Sequence, residues 1–438
     1  MSRRYLLAAV VAGSATFAGS AHAGGFGIPE IGVRRTGMAA VVGRPDEPSS
    51  LFHNPGGLVL QKGWRVYLSA TGSLISTEFK LLPWERSDEF LNTMPGPDGY
   101  YPTVKPTRAF GAAPMLAITG ELIPDRLVVA MGAWIGNAAG AQFDENDITR
   151  YHLINGYIIA PQAVIGGAYR INDKISVGAN AGVVYLTLKG EREFYPIYSG
   201  TDLSGIAGTR PLLELEGDAW SPTWSVGVYG QPHKKVTFGA TIISRVDATL
   251  EGPVKVTFSD DAPSPGDTLE SRHKTKQLLP WTFLGGVNVD VHPNVELGAE
   301  LRWWLYRQYD EQLSILSPRL LVISELKTLK NYRDSFQVSG GIRVHSLKQA
   351  PGLEMMLGTH FDRTPAPKET VTLDQPTFNH LGLHSGLRYT HGSLRLGASY
   401  FRYWYDIPTV TTSTTFPPSN FKGDGVNNSL VVSMEAAL

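Results

Sequence analysis

The 438-residue sequence contains no cysteine, which removes disulfide frameworks, thiol nucleophiles and Cys-ligated metals together. After its first two dozen residues it also lacks any run of the roughly 18 apolar residues that a spanning helix needs. The mature chain is therefore either soluble or crosses a membrane with strands. Neither sign of charge is in excess. Lys and Arg number 39 against 40 Asp and Glu, for a net charge of −1, and the cations are scattered, so no surface for nucleic acid is indicated. A linker that would divide so long a chain into soluble domains is missing too, and barrels are an exception to the length rule. There is no phosphate-cradling glycine loop and no zinc-ligand set, and no cofactor is expected. What the chain has in quantity is glycine, 47 residues, together with 18 Tyr and 9 Trp. That composition suits tightly turned strands ending in interfacial aromatic girdles.

The N-terminus reads as a targeting segment over residues 1–23. Arg3 and Arg4 form the positive region, Leu6 to Phe17 the apolar core, and Ala21-His22-Ala23 the cleavage site. Ser2-Arg3-Arg4-Tyr5-Leu6-Leu7 also resembles a twin-arginine signal, although a barrel that inserts from an unfolded state favours the ordinary secretory route.

Period-two alternation carries the fold. From Asn294, Val295, Leu297, Ala299, Leu301, Trp303 and Leu305 share one face, and Glu296, Gly298, Glu300 and Arg302 the other. Phe336, Val338, Ile342 and Val344 oppose Gln337, Ser339, Arg343 and His345, and Leu430, Val432, Met434, Ala436 and Leu438 oppose Ser429, Ser433 and Glu435. A one-residue slip would turn every charge to lipid. The pattern predicts fourteen strands, at 63–80, 107–122, 127–140, 158–171, 175–191, 218–232, 236–250, 277–291, 294–309, 333–346, 352–364, 378–390, 393–407 and 425–438. Tight turns such as Ile123-Pro124-Asp125-Arg126, Asn172-Asp173-Lys174 and His391-Gly392 alternate with loops rich in Pro, Gly, Asp and Ser. Short periplasmic turns, long extracellular loops and both termini inside define an even-stranded outer-membrane barrel; a soluble β-sandwich has no reason to keep this asymmetry.

Residues 24–62 do not alternate. Gly37-Met38-Ala39-Ala40-Val41-Val42-Gly43 reads as a small-residue helical turn, Asp46 as a cap for the residues after it, and Asn54-Pro55-Gly56-Gly57 as a breaker cluster. A compact segment of this size fits inside a lumen. Gly32 to Gln61, with Asn54-Pro55-Gly56, resembles the hatch of the FadL family of outer-membrane fatty-acid and hydrocarbon transporters, whose signature is Asn-Pro-Ala before a hydrophobic pair. Segments 168–179, 217–252, 279–289 and 361–376 are similar to the same family, so the resemblance covers nearly the whole mature chain. Two departures stand out: Gly56 replaces Ala, and the chain ends in Leu438 where such barrels commonly end in Phe or Trp. The expected architecture is an all-β, 14-stranded antiparallel transmembrane barrel, residues 63–438, plugged by a small, partly helical hatch, residues 24–62.

The resemblance implies passive transport of a hydrophobic molecule: capture at extracellular loops, transfer to a pocket against the hatch N-terminus (Gly24, Gly25, Phe26), hatch movement around Asn54, Pro55 and Gly56, and lateral release at a kink in the third strand. Gly132, Gly136, Asn137, Ala138, Ala139 and Gly140 are too small and turn-prone for an ordinary strand, so the side opening is expected at Gly136, Asn137 and Ala138. Phe194, Tyr195, Ile197, Tyr198, Leu203, Ile206, Leu212 and Leu213 are too apolar for a solvated loop; they either form a capture surface or pack the loops over the mouth. Arg245, Arg302, Arg343 and Arg388, with Glu296, Glu300 and His384, are expected in the lumen, where the arginines bind a cargo carboxylate or pair with Glu30, Asp46 or Glu47 to hold the plug.

Three other readings have weaker support. A water-filled porin predicts an open lumen. A lipid hydrolase finds no serine in a nucleophile motif, although His380, His384 and His391 lie close in sequence. Asp144-Glu145-Asn146-Asp147 lacks the spacing of a dedicated calcium loop and reads as a solvated acidic loop, or one bridged to lipopolysaccharide by loosely held divalent ions. Membrane lipids, lipopolysaccharide and the barrel assembly machinery are the expected partners, and a monomer the expected state.

Overall fold

The computed structural model describes residues 25–107, 110–198, 201–202, 210–258, 268–320 and 323–438; the expected leader and Gly24 lie outside them. One antiparallel sheet closes on itself, because the first strand pairs with the last from Arg65↔Ala437 to Leu81↔Phe421. Its 18 strand segments combine into fourteen strands, four of them interrupted. The first six are β1 (Trp64–Leu81), β2 (Phe110–Ile123), β3 (Leu127–Gln142), β4 (Asn155–Asn172), β5 (Ile175–Glu193) and β6 (Leu212–His233). The interrupted ones are β7 (Val236–Ile243 and Val246–Thr257), β8 (Thr268–Leu279 and Thr282–His292), β9 (Val295–Trp304 and Glu311–Leu320) and β10 (Ile323–Leu329 and Ser335–Val344). β11 (Leu353–Asp362), β12 (Asn379–His391), β13 (Leu394–Asp406) and β14 (Phe421–Ala437) complete the wall.

The alternation resolves into two faces. Leu297, Leu301 and Trp303 are 44%, 47% and 44% exposed on the outside, whereas Glu296, Glu300 and Arg302 are buried on the inside. Among the described residues no helix is long and apolar enough to cross a membrane; the strands do so, in the outer membrane.

The long loops are shorter than their composition suggests. β6 starts at Leu212 rather than 218 and β8 at Thr268 rather than 277, and residues 311–320 and 323–329, expected as loop, are strand. In these extensions the outer face is charged, with Glu251 opposite Lys274 and Lys255 opposite Glu270 across β7 and β8. Strands that project beyond the lipid have no need of an apolar outer face, so their sequence reads as loop. Arg245 is a second correction. The interruption of β7 at Ser244 and Arg245 reverses the alternation, so that buried Thr241 is followed by buried Val246, Ala248 and Leu250. Arg245 is thereby turned outward, where its Nε donates to Asp247 at 2.7 Å.

The lumen is filled by the chain's own N-terminal segment. Helix α1 (Val33–Met38) packs on β10 to β14, and a 3-10 turn, Pro55–Leu60, on β3 to β7. The helix lies four residues before the expected turn and ends where Ala39 takes a left-handed conformation, φ 58°. Asp46 caps nothing: the short helix α2 (Ser50–His53) has Ser49 at its N-cap and no side-chain capping bond.

Candidate transport pathway

The segment is seated first by charge. Near the short-turn end of the barrel, Arg34 pairs with wall Glu296, and Arg44 makes two bonds to Asp290, at 2.7 and 2.9 Å. Asp46 accepts from Arg343 at 2.7 Å and Arg388 at 3.2 Å, while Arg388 also reaches Glu47 at 3.4 Å and Glu354 at 2.7 Å. Deeper in, Arg302 donates to Glu300 at 2.6 Å, and the other oxygen of Glu300 accepts from the Val41 and Val42 amides at 2.8 and 3.0 Å. Arg343 and Arg388 thus contact carboxylates of the N-terminal segment, and Arg302 Nη2 lies 2.8 Å from its His53 Nδ1. Asp290, Glu296 and His345 form the one group of metal-ligand character among the described residues, but Arg44, Arg34 and Arg343 already occupy its carboxylates.

The second device is close backbone approach. Asn54 Oδ1 accepts from Gly56 N–H at 3.0 Å, and Asn54 Nδ2 donates to Val42 O at 3.1 Å and to Val228 O of β6 at 2.9 Å. One side chain thus ties the turn to itself, to the plug and to the wall. A methyl on Gly56 would stand 2.8 Å from Gly227 O and 2.9 Å from Tyr229 N, so the departure from the Asn-Pro-Ala signature lets the turn lie directly on the wall. The wall reciprocates: a Cβ at Gly178, Gly227 or Gly239 would strike Pro55 or Asn54, and one at Gly341, Gly358 or Gly386 would strike Met38 or Gly37.

The start of the segment is held differently. Phe26 is fully buried between Tyr306 and Tyr309, with ring centroids at 6.3 and 6.1 Å in edge-on arrangement, and Tyr332 backs both tyrosines at 5.7 and 5.3 Å. Phe26 N–H donates to Tyr306 Oη at 3.0 Å. Gly25, at φ 70°, lies so close to the Tyr306 hydroxyl that any side chain there would collide with it.

Two residues further on, the same segment meets the third strand. Pairing of β2 with β3 stops at Met115↔Trp134, although β2 stays paired with β1 as far as Phe110. The β3–β4 register shifts between Ile135 and Asn137, so Gly136 is the extra residue of a bulge. The edge so freed is taken by the plug: Ile28 N–H donates to Gly136 O at 2.9 Å, and Ala138 N–H to Phe26 O at 2.8 Å. Ile28 packs with Ala113 of β2 and Ile135 of β3, filling the space between the two strands. A small cavity of about 50 Å³ adjoins Ile28, Phe52, Gly136, Asn137 and Arg302.

At the loop end, the capture residues divide. Phe194 and Tyr195 are buried, Tyr195 against Phe90, Tyr151 and Phe416 with centroids at 5.7, 5.3 and 5.8 Å. They pack the loops over the mouth and form no exposed patch. Tyr198 belongs to a two-residue ladder, Ile197–Tyr198 with Thr201–Asp202; Leu203 and Ile206 lie outside the described residues. Leu213 is buried and Leu212 half-buried, and Leu213 lines a mouth cavity of 390 Å³ with Leu188, Leu215, Leu373, Phe416 and Thr372. Leu188, Leu213, Leu215 and Leu373 belong to the apolar cluster that contains Phe26, so apolar packing is continuous from mouth to plug.

Sequence reasoning missed three features. The Tyr306, Tyr309 and Tyr332 pocket and the buried Lys330 are two: Tyr332 and Lys330 fall where loop was expected, whereas Tyr306 and Tyr309, expected in a continuous strand over 294–309, sit in the interruption of β9. The histidines are the third. His384 Nδ1 is 2.9 Å from Thr36 O of α1, and because a carbonyl only accepts, Nδ1 is the donor; His384 Nε2 then accepts from His360 Nδ1 at 2.7 Å. The pair grips the plug helix.

Fold and site together define a closed β-barrel filled by its own N-terminal segment. A family model described as outer membrane protein transport protein (OMPP1/FadL/TodX) matches residues 14–437. The chain belongs to that family, a family of transport proteins and not of enzymes. A long-chain fatty acid transport protein from Escherichia coli is 23% identical over 263 residues, 54% of this chain and 57% of that relative. The chain thus aligns with little more than half the length of that relative. A Pseudomonas aeruginosa FadL homologue has a similar fold at TM-score 0.78 and 16% identity, covering 94% of this chain and 99% of that one. The Pseudomonas putida toluene transporter TodX matches at TM-score 0.68 and 13% identity over 94% and 99%.

Proposed function

We propose that the protein carries hydrophobic molecules, long-chain fatty acids or hydrocarbons, across the outer membrane by passive diffusion, with release through the wall of the barrel. Cargo enters the mouth cavity near Leu213, passes along the apolar cluster and displaces Phe26. Each Å² kept from water on the way is favourable by about 25 cal/mol. The observation that carries the reading is that residues 26–28 seal two places at once. Phe26 fills the tyrosine pocket, and the backbone beside it zips onto the β3 edge while Ile28 fills the gap to β2. Withdrawal of one short segment therefore opens the pocket and the gap at Gly136, Asn137 and Ala138 together. Residues 1–23 serve as the export leader, 24–62 as the hatch and 63–438 as the barrel. The partners are membrane lipid, lipopolysaccharide and the assembly machinery, and the chain works as a monomer.

Filling the gap by Gly136→Val with Asn137→Val should abolish uptake of a hydrophobic substrate; unchanged uptake would place the exit elsewhere. The competing porin predicts high single-channel conductance in the intact protein, whereas the hatch reading predicts almost none until residues 24–62 are removed.

A further inference from the structure

Resting on the lipid partners of that reading, we infer that the outer face of β10 to β13 is a docking surface for lipopolysaccharide, with Arg333, Arg363 and Arg402 as ligands for the phosphates of its lipid A headgroup. Arg402 faces outward from β13 between Tyr400 and Trp404, since Phe401, Tyr403 and Tyr405 fill the inward positions. It pairs in register with Leu383, which is 52% exposed on β12, so it is an arginine on the lipid face. Its guanidinium carbon lies 5.3 Å from the Trp404 ring centre, and its Nε has no hydrogen-bond partner among the described residues. Arg363, directly after β11, lies 5.9 Å over the Phe336 ring and donates its N–H to Phe336 O at 2.9 Å. Arg333, in the interruption of β10, donates its N–H to Pro365 O at 2.8 Å, which brings it beside Arg363. Both side chains are exposed.

Height and pairing assign the role. Arg402 is eight residues beyond Leu394 at the short-turn end, about 27 Å of strand. At a tilt of about 40° that is about 20 Å of height in an apolar band about 25 Å tall. Arg402 therefore lies just inside the outer rim and Arg363, ten residues beyond Leu353, at the rim itself; a long arginine side chain reaches upward from either place. Other outward cations toward the loop end hold acids: Arg307 holds Asp334 at 2.8 Å, Arg245 holds Asp247 at 2.6 Å, and Lys80 and Lys422 hold Asp98 at 3.1 and 3.4 Å. Arg333, Arg363 and Arg402 make no ion pair with any acid of the described residues, the exposed Asp406 at the end of β13 included. A cation at the lipid boundary with its donors unused is costly, and phosphate oxygens satisfy a guanidinium with paired, charge-assisted hydrogen bonds. The short turns face the periplasm, so this rim meets the outer leaflet. From β10 to β13 the arginines span three strand spacings, about 14 Å. One phosphate cannot cover that width, whereas a disaccharide headgroup with a phosphate at each end can. Beneath it, Phe361, Leu381 and Leu383 are exposed for its acyl chains. β14, β1 and β2 stand between β13 and β3, so a glycolipid bound here leaves the proposed exit clear.

The test is native mass spectrometry of the full-length protein in detergent, freed of lipid and divalent cations, with bis-phosphorylated lipid A, monophosphoryl lipid A and phosphatidylglycerol as probes. The wild type should bind the bis-phosphorylated form most tightly. Arg363→Gln with Arg402→Gln should weaken that form at least about tenfold, and Arg402→Lys combined with wild-type Arg363 should retain the preference. Lys422→Gln, which removes a paired cation of the same rim, should bind as the wild type does. Removing a charge from the lipid face does not oppose insertion, heat-modifiable gel migration reports folding, and Arg363→Gln alone replaces the double variant if that one fails to fold. Equal affinity in wild type and folded variant overturns the docking surface, as do an equal loss in Lys422→Gln, a preference for phosphatidylglycerol, or a wild type that binds no probe. Uptake of a hydrophobic substrate by the same wild-type preparation in vesicles reads the transport proposal separately: its absence overturns that proposal and leaves the lipid A result standing.

Discussion

Gly56→Ala restores the third residue of the Asn-Pro-Ala signature, and it should destabilise this protein. The new methyl would meet Gly227 O at 2.8 Å and Tyr229 N and Val228 C at 2.9 Å. All three are backbone atoms of β6, held in register between β5 and β7, so the wall cannot yield and the turn must lift. Overpacking of this kind costs about 1 to 3 kcal/mol. Lifting the turn also stretches the Asn54 bond to Val228 O, now 2.9 Å, at about 1 kcal/mol more. A loss of roughly 2 kcal/mol raises the population of unseated plug about thirtyfold. Hydrogen exchange of the Val33–Met38 and Pro55–Leu60 amides in detergent reads that population directly, with the barrel amides as internal control. Protection equal to wild type would refute the close-approach argument and make Gly56 a neutral replacement for Ala.

The same contacts set three further outcomes. Asp46→Asn removes the carboxylate shared by Arg343 and Arg388; it should cost about 3 kcal/mol of plug attachment, read as loss of hatch protection from protease without loss of the barrel. Tyr306→Phe leaves Phe26 N–H without its 3.0 Å acceptor and should weaken the seat of the N-terminal segment by about 1 to 3 kcal/mol, visible as brief conductance openings in planar bilayers. Leu301→Arg places a charge on the lipid face and should cost about 2 to 4 kcal/mol if near the midplane; undiminished folding into vesicles would contradict the face assignment.

The parts legible in the sequence are those where one force dominates. Between Val295 and Trp304, lipid on one side and lumen on the other leave only one possible register, and the alternation states it. Arg343, Arg388, Asp46 and Glu47 were foreseeable as plug partners because a charge in a lumen needs a counter-charge. Where two forces compete, the pattern fades. The outer charges of Glu251, Lys255 and Lys274 conceal strands that continue past the lipid. The break at Ser244 and Arg245 reverses a face without any glycine or proline at the break to announce it. Tyr306, Tyr309, Lys330 and Tyr332 come together only because β9 and β10 are both interrupted at the same height, a coincidence of tertiary structure that no local spacing records.

On the proposed route the plug divides into a part that stays and a part that leaves. Its body, from Val33 to Leu60, is held by several buried ion pairs and by contacts so close that the facing wall residues are glycine. Cooperative devices of that kind yield together or not at all. Residues 26–28, ahead of it, are held by three hydrogen bonds, Ile28 to Gly136, Ala138 to Phe26 and Phe26 to Tyr306, plus the burial of the Phe26 and Ile28 side chains. At about 0.5 to 1.5 kcal/mol each, the bonds sum to roughly 2 to 5 kcal/mol. A cargo of micromolar affinity has about 8 kcal/mol available, and its own apolar surface replaces that of Phe26 in the pocket. The exchange is therefore within reach at the N-terminal segment and out of reach for the body. On the proposed route the barrel floor stays closed while the wall opens, with the gap beside Gly136, rather than the periplasmic end, as the proposed exit.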